Sequence, residues 1–168
     1  MQACRVSQIR PALASRLNAC VVDALAISSR PTFPAAKQLL ESVALPSSDL
    51  TEQHLEHFLY CGSAYGLAGL VGLEIYGPNA LLRSLAVAPS ARSAGLGSAL
   101  LRHAEAYARA QNVRDLYLLT TTAQAFFEAR GYRPTSRESC PAAIRATSEF
   151  ASLCPVTSAV MTKHLSPL

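Results

Sequence analysis

Charged side chains are scarce in this chain: Asp, Glu, Lys and Arg supply 15% of its 168 residues, while half are hydrophobic. So little charge fits one compact domain with a full core, or a face covered by a partner such as a second copy. Long apolar runs are missing as well. No stretch reaches the roughly eighteen residues that a membrane-spanning helix needs, so no membrane contact is expected. Cysteine is present five times, an odd number without metal-ligand spacing. That leaves no zinc site and fits reduced thiols in a cytoplasm. His54 and His57 stand three residues apart but lack further ligands, so no metal is expected there either. The formal charge of +4 is modest, and the basic residues do not cluster with aromatics. A nucleic-acid surface is therefore excluded. Acids are absent before Asp23, in a stretch that carries Arg5, Arg10 and Arg16. Such a segment can be an organellar targeting peptide, but a loosely attached extension or a misassigned start codon explains it equally well, and the extension is the expectation adopted.

What the chain does contain is concentrated between residues 81 and 98. An apolar run, Leu81-Leu-Arg-Ser-Leu-Ala-Val-Ala88, ends at Pro89. A short turn with Arg92, Gly95 and Gly97 follows, and then a helix-like stretch from Ser98. Strand, glycine-bearing loop and helix N-terminus in that order make an anion site. Backbone N–H groups converge at the helix start, and the helix dipole adds positive potential there. Glycine lets main chain approach a ligand closely. The expected guest is a phosphate. A P-loop is excluded because no lysine follows Gly97. The dinucleotide fingerprint is excluded by Leu100 at its third glycine position.

Arg92-x-x-Gly95-x-Gly97 resembles the Arg/Gln-x-x-Gly-x-Gly/Ala signature of the GNAT N-acetyltransferases. The flanks extend the likeness. Arg83-Ser-Leu85-Ala-Val87-x-Pro89 resembles that family's fourth strand, and Ala125-Phe-Phe127-Glu-Ala-Arg-Gly131-Tyr132 its second motif. The resemblance implies acetyl-CoA as cosubstrate, its pyrophosphate held by Arg92, Ser93, Ala94, Gly95, Leu96, Gly97 and Ser98. It also implies that main chain at Leu85, Ala86 and Val87 pairs with the pantetheine arm and supplies donors for the tetrahedral oxyanion. The implied architecture is the α/β (α+β) GNAT fold. In it a mixed central sheet of about seven strands is flanked by helices and splayed between strands four and five.

The order of elements agrees with that implication. Strands are expected at Val22–Ser28, Phe58–Cys61, Leu67–Tyr76, Leu81–Ala88 and Asp115–Thr120, with a sixth from Tyr132 and a last at Val156–Lys163. Helices are expected at Ala35–Val43, from Ser98, and at Ala123–Arg130. Asp49 and Glu52 read as a capping box for a further helix reaching His57. There is no internal repeat. Residues 1–21 then form an N-terminal extension, and residues 22–165 the acetyltransferase domain.

The chemistry requires that an ammonium lose its proton before it attacks a thioester. Glu74 is the catalytic candidate, because a carboxylate is unexpected in the apolar strand Leu73-Glu-Ile-Tyr76. Burial would raise its pKa and suit it to relay that proton. The competing readings make it an outward-facing strand residue or a structural partner of Arg83, which itself either pairs with Glu74 or binds an anionic substrate. Phe127 stands where the family often has a tyrosine that protonates the leaving thiolate, and a phenyl ring donates no proton. Tyr117, Tyr132 or water are the substitutes. Thr120 replaces a frequent asparagine, and its hydroxyl suits a cap of the following helix.

Two stretches, Leu118-Leu-Thr-Thr-Thr122 and Pro141–Pro155, resemble a narrower group, the arsenic-resistance N-acetyltransferases. That likeness implies a small amino-acid-like acceptor, in the narrower reading a toxin with an arsinate or phosphinate side chain. Arg145 is then a second substrate-binding candidate through a forked contact to that anion. Its alternative is an i, i+4 pair with Glu149. Cys140 and Cys154 admit trivalent-arsenic binding, against packing as buried inert thiols. Two further functions stay open: acetylation of a protein N-terminus or lysine, and an acetyl-CoA-binding regulator without turnover.

Overall fold

Strand and helix periods alternate along the chain, and the computed structural model describes residues 26–63 and 66–166. The strands are β1 (Ile27–Ser29), β2 (Phe58–Ser63), β3 (Gly66–Tyr76), β4 (Asn79–Val87), β5 (Asp115–Thr120), β6 (Arg133–Thr135) and β7 (Ala159–His164). The helices are α1 (Phe33–Ser42), α2 (Leu96–Ala110), α3 (Gln124–Glu128) and α4 (Ala142–Arg145). A π-helical turn, Glu149–Leu153, precedes β7. The seven strands form one mixed sheet in the order β1-β2-β3-β4-β5-β7-β6. Its one parallel pairing joins β4 to β5.

Helical spacing decides which faces are covered. Leu96, Leu100, Leu101, Ala104 and Ala108 share a stripe of α2 and pack on Val71, Leu73, Leu82, Leu116 and Leu118. Ala36, Leu39 and Leu40 of α1 cover the opposite face against Phe58, Leu70 and Ala86. Farther along that face, Ile144 and Phe150 pack on Leu81 and Val160. Gly72 sits between Phe58 and Arg83 in the ladder. A Cβ there would strike the Phe58 ring, so glycine makes room for that ring on the face that also carries the charge cluster.

Three expectations need correction or fall outside the described residues. The helix expected from Asp49 to His57 is one 3-10 turn at His54–His57. The Asp49 carboxylate is drawn to Arg83 instead of a helix N-terminus. The last strand begins at Ala159, because a turn closed by the Ser158 N–H on the Pro155 carbonyl comes first. Of the strand expected at Val22–Ser28, residues 22–25 lie outside the described residues, as does the extension 1–21. No helix among the described residues is long and apolar enough to cross a membrane.

Candidate active site

The loop between β4 and α2 is built to present amides. After a 3-10 turn at Pro89–Ala91, Ser93 takes φ 68° and Gly95 φ 79°. Left-handed residues alternating with ordinary ones turn successive N–H groups to the same side, which makes an anion-binding concavity. Gly95 meets that geometry without cost, whereas Ser93 is strained by it. The first helical bond of α2 runs from the Ala99 N–H to the Gly95 carbonyl, and no side chain caps the helix. The amides of Leu96, Gly97 and Ser98 therefore point out of the helix start toward the loop. Arg92 is exposed beside them, with its Nε on the Val87 carbonyl at 3.4 Å. Arg130, which sequence reasoning passed over, stacks 3.6 Å above the Phe126 ring and donates to Ser98 Oγ at 2.6 Å.

β4 carries a bulge. Leu70 pairs with Ala86 and Gly72 with Arg83, so Val71 faces both Ser84 and Leu85, and Ser84 adopts φ 57°. The extra residue bends the strand. Pairing of β4 with β5 stops at Leu81–Tyr117, and beyond it the two strands diverge. The Ala88 N–H donates to the Ala68 carbonyl of β3. By strand alternation the main chain of Val87 and Leu85 faces the other way, into the splay, whereas that of Ala86 is held in the β3 ladder.

Two cavities open along this splay. One, of about 300 Å³, lies between the loop and β4 and touches Leu85, Ala86, Val87, Arg92, Gly97 and Phe126. The other, of about 420 Å³, is lined by Arg83, Ser84, Leu118–Thr122, Glu149, Leu153–Pro155 and Ser158. They share Leu45, Leu85, Ala123 and Phe127, so Phe127 and the Leu85 main chain stand at their junction.

Beneath the second cavity is a charge cluster centred on Arg83, whose side chain is fully buried. Its Nη1 and Nη2 clasp both Asp49 oxygens at 2.7 and 2.8 Å, and Nη1 also donates to Glu74 Oε1 at 2.6 Å. Its Nε lies 3.2 Å from Glu149 Oε1. The other Glu74 oxygen accepts from the Tyr76 hydroxyl at 2.7 Å. Burial works to raise the Asp49 pKa, but the Arg83 hydrogen bonds and charge outweigh it and leave the carboxyl below its usual range. Glu149 behaves oppositely. Burial first, then the Asp49 and Glu74 charges, push it up to about 7 against the downward pull of Arg83. Tyr76 rises to about 12, through burial and then its bond to the Glu74 carboxylate.

A profile described as the acetyltransferase (GNAT) family matches residues 23–132. The chain belongs to that family. Among curated proteins it is similar to the amino-acid acetyltransferase of Ectopseudomonas mendocina strain ymp, 47% identical over 62 residues, or 37% of this chain and 14% of that protein. The amino-acid acetyltransferase of Pseudomonas fluorescens strain Pf0-1 is 34% identical over 106 residues, covering 58% of this chain and 23% of that protein. The match thus spans a quarter or less of those relatives' length. Among solved structures, N-acetylglutamate synthase from Neisseria gonorrhoeae, complexed with coenzyme A and N-acetyl-glutamate, superposes with TM-score 0.71. It is 23% identical and covers 84% of this chain and 35% of its own. The ribosomal-protein-S18-alanine N-acetyltransferase from Escherichia coli gives TM-score 0.61 and 21% identity, over 85% of this chain and 95% of its own.

Within this GNAT frame the expected side chains separate. Arg83 and Glu74 are paired with each other, which was the structural alternative for both. Glu74 lines neither cavity, and its two oxygens are held by Arg83 and Tyr76. Arg145 is exposed on α4, lines neither cavity and does not pair with Glu149, which turns inward to Arg83. That inward turn corrects the reading that paired Arg145 with Glu149. Tyr132 is buried in the core beside Phe127, and neither it nor Tyr117 reaches a cavity wall. The Thr120 hydroxyl accepts the Ala123 N–H at 3.0 Å, as a cap at the start of α3. Cys140 is buried against Ile144 and Phe150, while Cys154 lines the second cavity. No group of three potential metal ligands occurs among the described residues. Asp49 and Glu149 were missed as site residues because both offered a local explanation, one as a cap and one as a helical partner.

Proposed function

We propose that this GNAT chain is an N-acetyltransferase that moves the acetyl group of acetyl-CoA to the amine of a small amino-acid-like acceptor. The observation that carries the proposal is the junction of the two cavities at Leu85, on the stretch of β4 beyond its last pairing with β5. The pyrophosphate of acetyl-CoA would sit against the amides of residues 93–98, with Arg92 supplying a cation at the rim. The pantetheine arm would follow the splay as a further strand, placing the thioester near Leu85 and Phe127. Strand amides aimed there are preorganised donors for the oxyanion. Phe127 offers no proton to the departing thiolate, and thiolates leave readily near neutral pH, so turnover does not depend on a tyrosine there.

An amino-acid acceptor is supported by the names of the relatives and by the enclosure of the second cavity. The two segments that resemble the arsenic-resistance N-acetyltransferases, 118–122 and 141–155, contribute much of its lining. A phosphinate or arsinate group, however, needs a free cation. Arg83 is surrounded by three carboxylates and Arg145 is outside the cavity, so hydroxyls and main chain are left to hold a second anion. An acceptor with a small, uncharged side group is the better-supported choice.

Thiol release from acetyl-CoA with a panel of amines tests this reading. The panel holds neutral amino acids, glutamate, a phosphinate-bearing amino acid and a short peptide. Acetylation of a free amino acid well above the peptide is expected. Preference for the peptide would turn the reading toward protein acetylation, and tight acetyl-CoA binding without any product toward a regulator.

A further inference from the structure

The Arg83 cluster contains one carboxylate that its neighbours leave available. Asp49 is clasped by two guanidinium nitrogens, and Glu74 by Arg83 and Tyr76. Glu149 accepts no side-chain hydrogen bond from a described residue. Its contact with Arg83 Nε, at 3.2 Å, lacks hydrogen-bond alignment, and Nε is directed closer to Ser84 Oγ. Glu149 nevertheless lies on the wall of the acceptor cavity, although it is only 6% exposed. Ser158 lines the same cavity, and its buried hydroxyl has no hydrogen-bond partner among the described residues. A buried carboxylate short of hydrogen-bond donors and a buried hydroxyl without a partner, on two residues lining one cavity, ask for a ligand that supplies N–H groups.

We propose that Glu149 receives the acceptor's ammonium and takes its proton, with the Ser158 hydroxyl as the second polar contact. This rests on the acetyl-transfer reading above and deepens it. The step balances simply. An N–H bond of the ammonium breaks, its proton passes to a Glu149 oxygen, and the freed lone pair forms the C–N bond to the thioester carbonyl. The carbonyl pair moves to oxygen beneath the Leu85 and Val87 amides. Collapse breaks the C–S bond, and the second amine proton goes to the thiolate, giving amide and free thiol. The Glu149 proton then returns to solvent.

The surroundings suit that role. Arg83 from β4 faces Glu149, and so do Asp49 from the loop after α1 and Glu74 from β3. Cys154 closes the same turn. The Arg137 guanidinium holds the turn from outside, donating to the Phe150 and Pro155 carbonyls at 3.0 Å each. Three carboxylates around one guanidinium leave the cluster negative, which attracts a cationic amine. With its carboxyl held near 7 by burial, Glu149 is matched to exchange a proton at neutral pH.

The test is the pH–rate profile for kcat/KM, with acetyl-CoA affinity measured alongside. Glu149→Gln should lower kcat/KM by about 100-fold or more at neutral pH and leave acetyl-CoA affinity unchanged. The wild-type acid limb near 7 should vanish, and the deficit should shrink as pH climbs toward the amine's own pKa. Ser158→Ala should raise the acceptor KM several-fold with the profile retained. If Glu149→Gln does not fold, Glu149→Asp keeps the charge but withdraws it by one methylene. That variant should lose rate while keeping the acid limb, and a wild-type rate in it overturns the proposal. Wild-type turnover with an unchanged profile in Glu149→Gln overturns the role of Glu149 alone. Absence of turnover with every amine overturns the acetyl-transfer reading and this proposal with it.

Discussion

Arg83 is the residue on which this site depends. A guanidinium with no solvent exposure is tolerable only because Asp49, Glu74 and Glu149 surround it. The three carboxylates equally depend on it. Arg83→Met would leave them facing one another across a buried space, at a cost of about 3–5 kcal/mol. The cost should fall with pH, because protonation relieves the repulsion. Denaturant unfolding of the variant at about pH 8 and pH 5 checks this, and the gap to wild type should be larger at the higher pH. In the wild type the two outer carboxylates act in opposite directions. Asp49 has its pKa lowered, so its contribution is present at neutral pH and is lost as pH falls through its folded value. Glu149 has its pKa raised to about 7, so its contribution is lost as pH rises through 7. A group that opposes stability at neutral pH, on a cavity wall, fits function better than scaffolding.

At the scale of elements, the loop and the first turn of α2 make up the proposed anion receptor. Gly95 is required by its φ of 79°, with nothing within 4 Å of where a Cβ would lie. Gly97 is different. A Cβ there would lie 3.6 Å from Val87 and 3.8 Å from Phe126, ordinary contacts, and Gly97 lines the cavity proposed for the cofactor. This separates stability from binding. Gly97→Asp places an acid in the first helical turn, where the dipole favours it by about 0.3–1 kcal/mol. The variant should thus unfold no more easily than wild type, yet bind acetyl-CoA about tenfold or more weakly through repulsion of the pyrophosphate. Calorimetric titration beside a melting curve reads both effects. Undiminished affinity would remove the loop from the cofactor site.

For the whole molecule, the sheet is held as two parts that meet along only the first residues of β4 and β5. β1 to β4 lie on one side of the splay, β5, β7 and β6 on the other, and their parallel ladder ends at Leu81–Tyr117. A ligand that hydrogen-bonds the exposed edge of β4 and packs on Phe126 and Phe127 would bridge the two. Acetyl-CoA at about a hundred times its Kd should therefore stabilise the fold by about 2.7 kcal/mol. That corresponds to a rise in Tm of about 5–10 °C for a domain of this size. The rise should be much smaller in Gly97→Asp at the same concentration. An equal shift in both would place the stabilising contact elsewhere.

The strand, glycine loop and helix of residues 81–98 were legible because the signals for them are local. The loop amides belong to consecutive residues, and φ preferences with helix-end geometry act at that range. The Glu74–Arg83 pair was legible as one of two readings, because a hairpin brings β3 and β4 together in a register that few alternatives satisfy. Tertiary structure alone decided the rest. Asp49 reaches Arg83 from the loop after α1, and Glu149 from a π-helical turn after α4. Both had plausible neighbours in sequence that the folded chain does not use. A buried guanidinium must be neutralised by whatever carboxylates the packing brings to it, and linear spacing carries no record of that requirement. Local backbone chemistry determined the amide-presenting loop of residues 92–98, and the three-dimensional balance of buried charge determined which carboxylates gather at Arg83 beside the second cavity.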